Sequence, residues 1–145
     1  MKRIICVLVS LVLAAGLCSC ALTEESSDPA LTLSMLAEEE TVMVHLYSDK
    51  GEETLEVEVT DEFLSLMDGK WEKASGQGGA DKVLTVTVGT QHEITYFEGG
   101  AAMIYYGFAS VFEKDRCYYS VELEGELSKL YDYCAENGTV PETEE

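Results

Sequence analysis

The feature that most constrains the fold of this chain is a strict alternation of apolar and polar residues in short segments. Between Thr54 and Thr60 every second residue is a leucine or valine. Thr41–Ser48 is also predicted to be a strand, in which Val42, Val44 and Leu46 point one way and Met43, His45 and Tyr47 the other. A period of two residues places one set of side chains on a buried face of a sheet and the other set in solvent. A turn containing Gly51 separates the two segments. We therefore predict a β-hairpin with one wet face.

Short segments rich in valine, threonine and aromatic residues continue this pattern towards the C-terminus. These residue types favour the pleated, half-buried surface of a sheet. Turn signals such as Glu98-Gly99-Gly100 separate the segments, so an antiparallel meander is predicted. Its strands are predicted at Val83–Val88, His92–Phe97, Ala102–Tyr106 and Cys117–Val121, with Ala109–Phe112 leading into the last of them.

Two further segments have the period of an amphipathic helix. The first follows Thr60, which is predicted to cap it, and carries Phe63, Met67 and Trp71 on one face. The second ends at Asn137-Gly138. Its apolar stripe consists of Leu123, Leu127, Leu130, Tyr131 and Cys134. The order ββ-α-ββββ-α predicts an α+β fold, an antiparallel sheet of about six strands with two helices packed on one face.

The N-terminus has the three parts of an export signal. Two basic residues precede an apolar run of 14 residues, Ile4–Leu17, which is shorter than the roughly 20 residues that span a bilayer. The run ends at Leu17-Cys18-Ser19-Cys20, which resembles the lipobox of bacterial lipoproteins. The resemblance implies that Cys20 receives a lipid and that the protein is anchored on the extracytoplasmic side of the cell membrane. Ordinary cleavage near Ser19, with release of a soluble protein, is the alternative.

The sequence predicts four consecutive parts of the chain. Residues 1–19 are predicted to be a lipoprotein signal peptide and residues 20–40 an acidic tether. Within the tether two alternatives stay open, a short helix capped by Asp28-Pro29 or an edge strand over Leu31–Leu36. Residues 41–138 are predicted to form the α+β domain and residues 139–145 a disordered tail. The layout of the domain is similar to small domains of unknown function in lipoproteins of Gram-positive anaerobes.

The charge of the chain excludes one class of partner. Without the signal peptide, seven Lys and Arg residues remain against 28 Asp and Glu, a formal charge of −21. Such a charge repels phosphate backbones, so we expect no binding to nucleic acid. The simple explanation of this acidic charge is that it keeps an exported protein soluble. The functional explanation is a preference for cationic partners or divalent ions.

The cysteines give two alternatives. After loss of the signal peptide and lipidation of Cys20, the thiols of Cys117 and Cys134 remain. Extracytoplasmic compartments permit disulfides, and a bridge closing this loop would stabilise the fold by about 3 kcal/mol. The second alternative is two separately buried thiols.

The sequence contains no recognisable catalytic or cofactor motif. His45 and His92 are the two histidines, and neither stands in a zinc-binding pattern. No GxSxG or SxxK pattern supplies a nucleophile, and the Gly-rich segment 76–82 lacks the spacing of a phosphate-binding loop. We expect no metal, no cofactor and no catalytic residue. A small hydrolase or metal-dependent enzyme built on scattered acids and histidines is the alternative.

Tyrosines are concentrated in the predicted meander. Because side chains alternate along a strand, some of them must point away from the core unless both faces of the sheet are covered. A packed core with cross-strand pairs is the simpler interpretation, and an aromatic platform for a protein, peptide or glycan is the functional one. The candidate partner surface consists of Tyr96, Tyr105, Tyr106, Tyr118 and Tyr119. The predicted function is a lipid-anchored, non-catalytic binding module, and a structural envelope component without a specific ligand is a further alternative.

Overall fold

The computed structural model describes residues 28–75, 79–90, 92–106, 116–123 and 125–142. Within these ranges an antiparallel sheet carries three helices, which confirms the predicted α+β class. The strands are β1 (Thr41–Ser48), β2 (Gly51–Glu58), β3 (Gly69–Ala74), β4 (Lys82–Val88), β5 (His92–Phe97), β6 (Ala101–Tyr106) and β7 (Arg116–Leu123). The helices are α1 (Pro29–Leu36), α2 (Asp61–Met67) and α3 (Leu127–Asn137). The signal peptide, Cys20 and the predicted segment Ala109–Phe112 lie outside the described residues.

The described strands form one sheet in the order β2-β1-β4-β5-β6-β7-β3, and every neighbouring pair is antiparallel. The predicted hairpin is β1–β2, and the predicted meander is β4–β7. The hairpin joins the meander through pairing of β1 with β4. The described part of the sheet therefore has seven strands rather than about six, with β2 and β3 at its edges.

The extra strand is β3, and it corrects the prediction for the first helix. Thr60 caps α2 as predicted, because its hydroxyl accepts a hydrogen bond from the Phe63 N–H over 3.1 Å. The helix nevertheless ends at Met67, and Trp71 lies on β3, paired with Val121. Gly69 permits this pairing, since a Cβ at that position would collide with the backbone of β7. The helical spacing of Trp71 was therefore a coincidence.

The helix α1 decides between the two alternatives for the tether. Asp28 caps it by accepting hydrogen bonds from the N–H groups of Ala30, at 2.8 Å, and Leu31, at 3.2 Å. Pro29 occupies the first turn, where its missing N–H costs nothing. Thr32 and Leu36 are fully buried, so the helix is packed against the domain. The helix alternative is confirmed, and the edge strand is wrong.

The hydrophobic core lies between the three helices and one face of the sheet, which we call the helix side. The helices contribute Leu36, Phe63, Met67, Leu130 and Cys134, and the sheet contributes residues such as Val44, Val86, Ile94 and Ile104. All of these side chains are fully buried. Burying a side chain of this size stabilises the fold by about 1.5–3 kcal/mol. The predicted packing of helices on one face is thus found, with three helices instead of two.

The C-terminal helix α3 ends at Asn137, as the sequence predicts, and a residue of the predicted disordered tail pairs with the sheet. The N–H of Gly138 donates to the carbonyl of Cys134, which closes α3. Thr139 then pairs with Glu56 on the outer edge of β2 through two backbone hydrogen bonds of 2.8 and 2.9 Å. Pro141 follows two residues later, and it has no N–H with which to continue such a ladder.

Candidate functional site: the helix-free face of the sheet

The candidate site is the face of the sheet opposite the helix side, which we call the helix-free face. Directly paired residues of antiparallel strands point to the same face. One row of such pairs crosses all seven described strands, and it runs Thr54, His45, Thr85, Thr95, Met103, Tyr118, Ala74. A second row runs Glu56, Met43, Thr87, Glu93, Tyr105. Both rows contain polar, sulfur-containing and aromatic side chains, and the second row also contains the carboxylates of Glu56 and Glu93.

Burial varies across this face. Thr85, Thr95, Phe97 and Tyr105 are buried, with at most 8% of each residue exposed. Residues around them are half-buried, namely Met43, His45, Tyr47, Thr87, Glu93, Met103 and Tyr118. The helix-free face is therefore neither a packed core nor a fully wet surface.

A hydrogen bond joins the two central threonines of the first row. The hydroxyl groups of Thr85 and Thr95 are 2.9 Å apart, and both residues are buried. Either hydroxyl can donate, so each satisfies the polar atom of the other. A buried hydroxyl without a partner costs about 1–3 kcal/mol, and the pair avoids this cost.

At one end of the face, His45 contacts a carboxylate and a hydroxyl with the same ring nitrogen. Its Nδ1 lies 2.9 Å from Glu52 Oε1 and 3.0 Å from Thr54 Oγ1. A nitrogen without a hydrogen would direct its lone pair at the carboxylate, so this geometry favours a hydrogen on Nδ1 that both oxygens accept. The arrangement fixes the ring within the β1–β2 hairpin.

Acidic residues border the same end. Glu52, Glu56 and Glu58 lie on the helix-free face of β2, and Glu56 Oε1 accepts a hydrogen bond of 2.9 Å from the Thr41 hydroxyl. Glu53 pairs with Leu46 and points to the opposite side. The side-chain amine of Lys82 lies 5.5 Å from the centre of the Tyr47 ring, a cation–π contact. This end of the face thus combines carboxylates with an aromatic ring that already contacts a cation.

The five tyrosines of the candidate partner surface do not form one platform. Tyr96 and Tyr119 lie on the helix side and are buried in the core, so their rings are not presented to a partner. Tyr105 and Tyr118 lie on the helix-free face, the first buried and the second half-buried. The side chain of Tyr106 lies outside the described residues. Tyr118 is therefore the one described member of the set with appreciable exposure.

Both remaining cysteines are free thiols in the structure. Cys117 is half-buried on β7, and Cys134 is fully buried on α3. Burial raises the pKa of the Cys134 thiol to about 12, which keeps it protonated and unreactive at neutral pH. The two thiols are thus not bridged in this structure, and the predicted alternative of two buried thiols matches Cys134 but not the half-buried Cys117.

The two histidines lie on opposite sides of the sheet. His45 pairs with Thr85 on the helix-free face, whereas His92 pairs with Val88 on the helix side and is buried. A zinc site needs three or four convergent ligands. Among the residues that the structure describes, no group of three or more His, Cys, Asp and Glu side chains is placed to hold a metal ion.

Searches with this chain against protein-family models, curated proteins and solved structures gave no match. In the described part of the chain, no helix combines the length and the apolar character that crossing a membrane requires.

Sequence reasoning missed the contact of His45 with Glu52 and Thr54, although part of the signal was present. The alternation of the hairpin places His45 and Thr54 on its wet face. The register that sets them directly opposite each other depends on the two-residue turn Asp49-Lys50, which the structure defines.

Proposed function

We propose that this protein is a lipid-anchored extracytoplasmic binding module without catalytic activity, and that its helix-free face meets a cationic protein or peptide partner. The anchor is proposed from the lipobox-like Leu17-Cys18-Ser19-Cys20. The observation that carries the binding role is the composition of the helix-free face. Half-buried Tyr47 and Met43 lie directly opposite Glu52 and Glu56. Half-buried Tyr118 lies on the same face, on the more distant strand β7.

Physical properties of this face support the proposal. Aromatic and methionine side chains are enriched in the centres of protein interfaces, and the carboxylates of β2 attract and orient positive charge. The formal charge of −19 for the whole chain adds a long-range attraction for cations, which speeds association at low salt.

The placement of the titratable groups supports a binding role over the enzymatic alternative. His45 and His92 lie on opposite sides of the sheet, and Cys134 is buried with a raised pKa. Nucleophilic catalysis needs a thiol or hydroxyl that a nearby base activates. The Thr54 hydroxyl lies 3.0 Å from His45 Nδ1, but the same nitrogen lies 2.9 Å from the Glu52 carboxylate. A ring nitrogen that carries a hydrogen towards a carboxylate cannot accept the proton of the hydroxyl.

The binding role is tested by chemical cross-linking in native envelopes, followed by identification of the captured proteins. The variant Glu56→Gln/Glu58→Gln removes two charges from the helix-free face. Its matched control, Asp132→Asn/Glu136→Gln, removes the same charge from exposed positions on α3. We expect the first variant and Tyr118→Ala to lose a basic partner that the control retains. Equal capture by all three variants would contradict the proposal.

The anchor is tested separately by membrane fractionation. We expect the wild-type protein to sediment with membranes and the Cys20→Ser variant to appear in the soluble fraction. A Cys20→Ser protein that still sediments with membranes would remove the anchor from the proposal and leave the binding face untouched.

A further inference from the structure

The outer edge of β2 borders the helix-free face, and part of its backbone has no partner strand. In an antiparallel pair, alternate residues of a strand direct their N–H and C=O groups to one neighbour, and the residues between them direct theirs away. The two backbone hydrogen bonds between Glu56 and Thr139 identify the outward set of β2, which therefore also includes Glu52 and Thr54. Within the described residues, the outward groups of Glu52 and Thr54 form no backbone hydrogen bond.

The pairing of Thr139 with Glu56 shows that this edge accepts an added strand. Its two hydrogen bonds, of 2.8 and 2.9 Å, have the length of an ordinary sheet ladder. The same register would set Pro141 opposite Thr54, where a proline has no N–H to donate. The tail therefore pairs with one outward position, and the next two positions stay unpaired.

The charge of β2 limits what can pair with these positions. The strand has no basic residue and four glutamates, Glu52, Glu53, Glu56 and Glu58. A second copy of this chain would bring two such strands side by side, and like charges directly opposite each other are destabilising. A basic segment would instead place cations beside the carboxylates. The other edge, β3, has Lys70 and Lys73 against one glutamate, so it offers a basic segment no such complement.

We propose that a segment of the partner rich in lysine or arginine binds as an additional strand on the outer edge of β2 and continues the ladder that Thr139 begins. This inference rests on the proposed function, and it names how the cationic partner is held. In this mode of recognition the backbone hydrogen bonds provide affinity, and alternate side chains provide specificity.

The register predicts where the basic residues of the partner lie. A residue directly opposite Glu52 or Thr54 points to the helix-free face, as they do. Three of the four glutamates of β2 lie on that face. Because these pairs are of the hydrogen-bonded kind, the same partner residue also directs its N–H and C=O at β2. We therefore expect basic residues at alternate positions, and at those positions the backbone N–H is required for binding.

The test uses short capped peptides in which lysine and threonine alternate. One peptide is unmodified, one is N-methylated on the backbone at two lysines, and one is N-methylated at two threonines. All three have the same charge, but N-methylation removes donors on one side of the peptide strand only. The protein is the mature full-length chain carrying Cys20→Ser, so that no detergent is needed.

Binding is measured by NMR titration and by the amide hydrogen exchange of Glu52 and Thr54. We expect the unmodified peptide to bind saturably and to slow exchange at these two amides. The threonine-methylated peptide should bind within about twofold of it. The lysine-methylated peptide should bind at least about tenfold more weakly, because two backbone hydrogen bonds to β2 are lost.

A matched pair of variants locates the site on the protein. Thr54→Pro removes the outward N–H, a change that an edge strand tolerates on its free side, and Thr54→Val keeps that N–H. Both variants lose the hydroxyl that contacts His45, so the loss of this contact is the same in each. We expect Thr54→Pro to weaken binding of the unmodified peptide at least about tenfold relative to Thr54→Val, with both variants folded by circular dichroism.

Three results would overturn strand addition, namely no saturable binding of the unmodified peptide, equal binding of the two methylated peptides, or stronger binding of the lysine-methylated one. Each of these would leave the proposed function in place if the envelope cross-linking still captured a basic partner that depends on Glu56 and Glu58. The proposed function fails separately, through capture that does not depend on those carboxylates.

Discussion

The two faces of the sheet are built from alternate residues of the same strands, yet they differ in how they are stabilised. On the helix side, residues such as Ile94 and Ile104 are fully buried against helices. On the helix-free face, the adjacent Thr95 and Met103 belong to a row that mixes hydrogen bonds with half-buried side chains.

This difference suggests different roles for the two faces, stability for the helix side and binding for the helix-free face. Apolar burial has no direction, so the helix side tolerates any well-packed set of hydrophobic residues. The helix-free face depends on particular polar pairs, such as Thr85 with Thr95 and His45 with Glu52. We therefore expect substitutions on the helix side to affect mainly the free energy of unfolding. On the helix-free face we expect the same of the buried hydroxyl pair, whereas substitutions of half-buried and exposed residues there should affect mainly recognition.

The largest effect is expected from a pair of substitutions at neighbouring residues of β6. Ile104→Ala removes a fully buried side chain from the helix side and should lower the free energy of unfolding by about 2–5 kcal/mol. Met103→Ala removes a half-buried side chain from the helix-free face and should cost about 1 kcal/mol. Urea unfolding followed by circular dichroism measures both. Equal losses would contradict the proposed division between the faces.

A smaller effect is expected at the hydroxyl pair of the helix-free face. Thr85→Val and Thr95→Val each leave the other hydroxyl buried without a partner, so each should cost about 1–3 kcal/mol. The double variant removes both hydroxyls and should be close to the wild type in stability. A double-mutant cycle in urea reports this coupling. Additive losses would show that the hydrogen bond contributes nothing specific.

An effect of pH is expected on the helix side from Cys134. Its pKa is about 12 in the folded protein and 9.0 as an ordinary thiol, so the unfolded state loses its proton first. The associated stability is complete below pH 9 and is lost as pH rises from there towards 12. Between pH 8 and pH 10 this loss amounts to about 1.4 kcal/mol.

The measurement compares urea unfolding of three proteins at several alkaline pH values. We expect Cys134→Ala to have a lower free energy of unfolding with a flatter dependence on pH. Cys117→Ala, the control at the half-buried thiol, should keep the slope of the wild type. The assignment of the pH dependence to Cys134 would be refuted by a Cys134→Ala slope that matches the wild type.

The smallest effect is expected at the partly exposed contact between His45 and Glu52 in the hairpin. The His45 and Glu52 side chains are 29% and 51% exposed, and pairs of this kind contribute about 0–1 kcal/mol. Glu52→Gln should therefore change the free energy of unfolding by less than about 0.5 kcal/mol at low salt and by less still at high salt. A larger loss would contradict the proposed difference between the two faces of the sheet, because this half-exposed contact would then contribute substantially to stability.

Local patterns were sufficient to predict most of the strands. The alternation is strict from Thr54 to Thr60 and nearly complete in β1, β4 and β5, and Thr60 caps α2 through neighbouring residues alone. Trp71 was misassigned because its partner in the sheet, Val121, lies far away in the sequence. A local sequence pattern contains no information about such a long-range pairing. Trp71 also follows Phe63 and Met67 at intervals of four residues, the spacing of an amphipathic helix.

The candidate site was predicted only in part for a related reason. Alternation shows that Tyr118 and Tyr119 point to opposite faces, but it does not show which of them faces the helices. Pairing of Tyr119 with Ala102 and of Tyr118 with Met103 decides this. The packing of Leu130 and Cys134 of α3 against the sheet likewise joins distant parts of the chain, so no single segment of the sequence specifies it.

The packing of α1 against the domain has a consequence for reach. If Cys20 carries the anchor, the segment between lipid and folded domain is residues 21–28, since the helix begins at Pro29. Eight residues span at most about 29 Å even when fully extended. The start of α1 would then stay within about 29 Å of the membrane surface, and the domain would be held close to the membrane. In return, it would meet other membrane-bound partners at a high effective concentration.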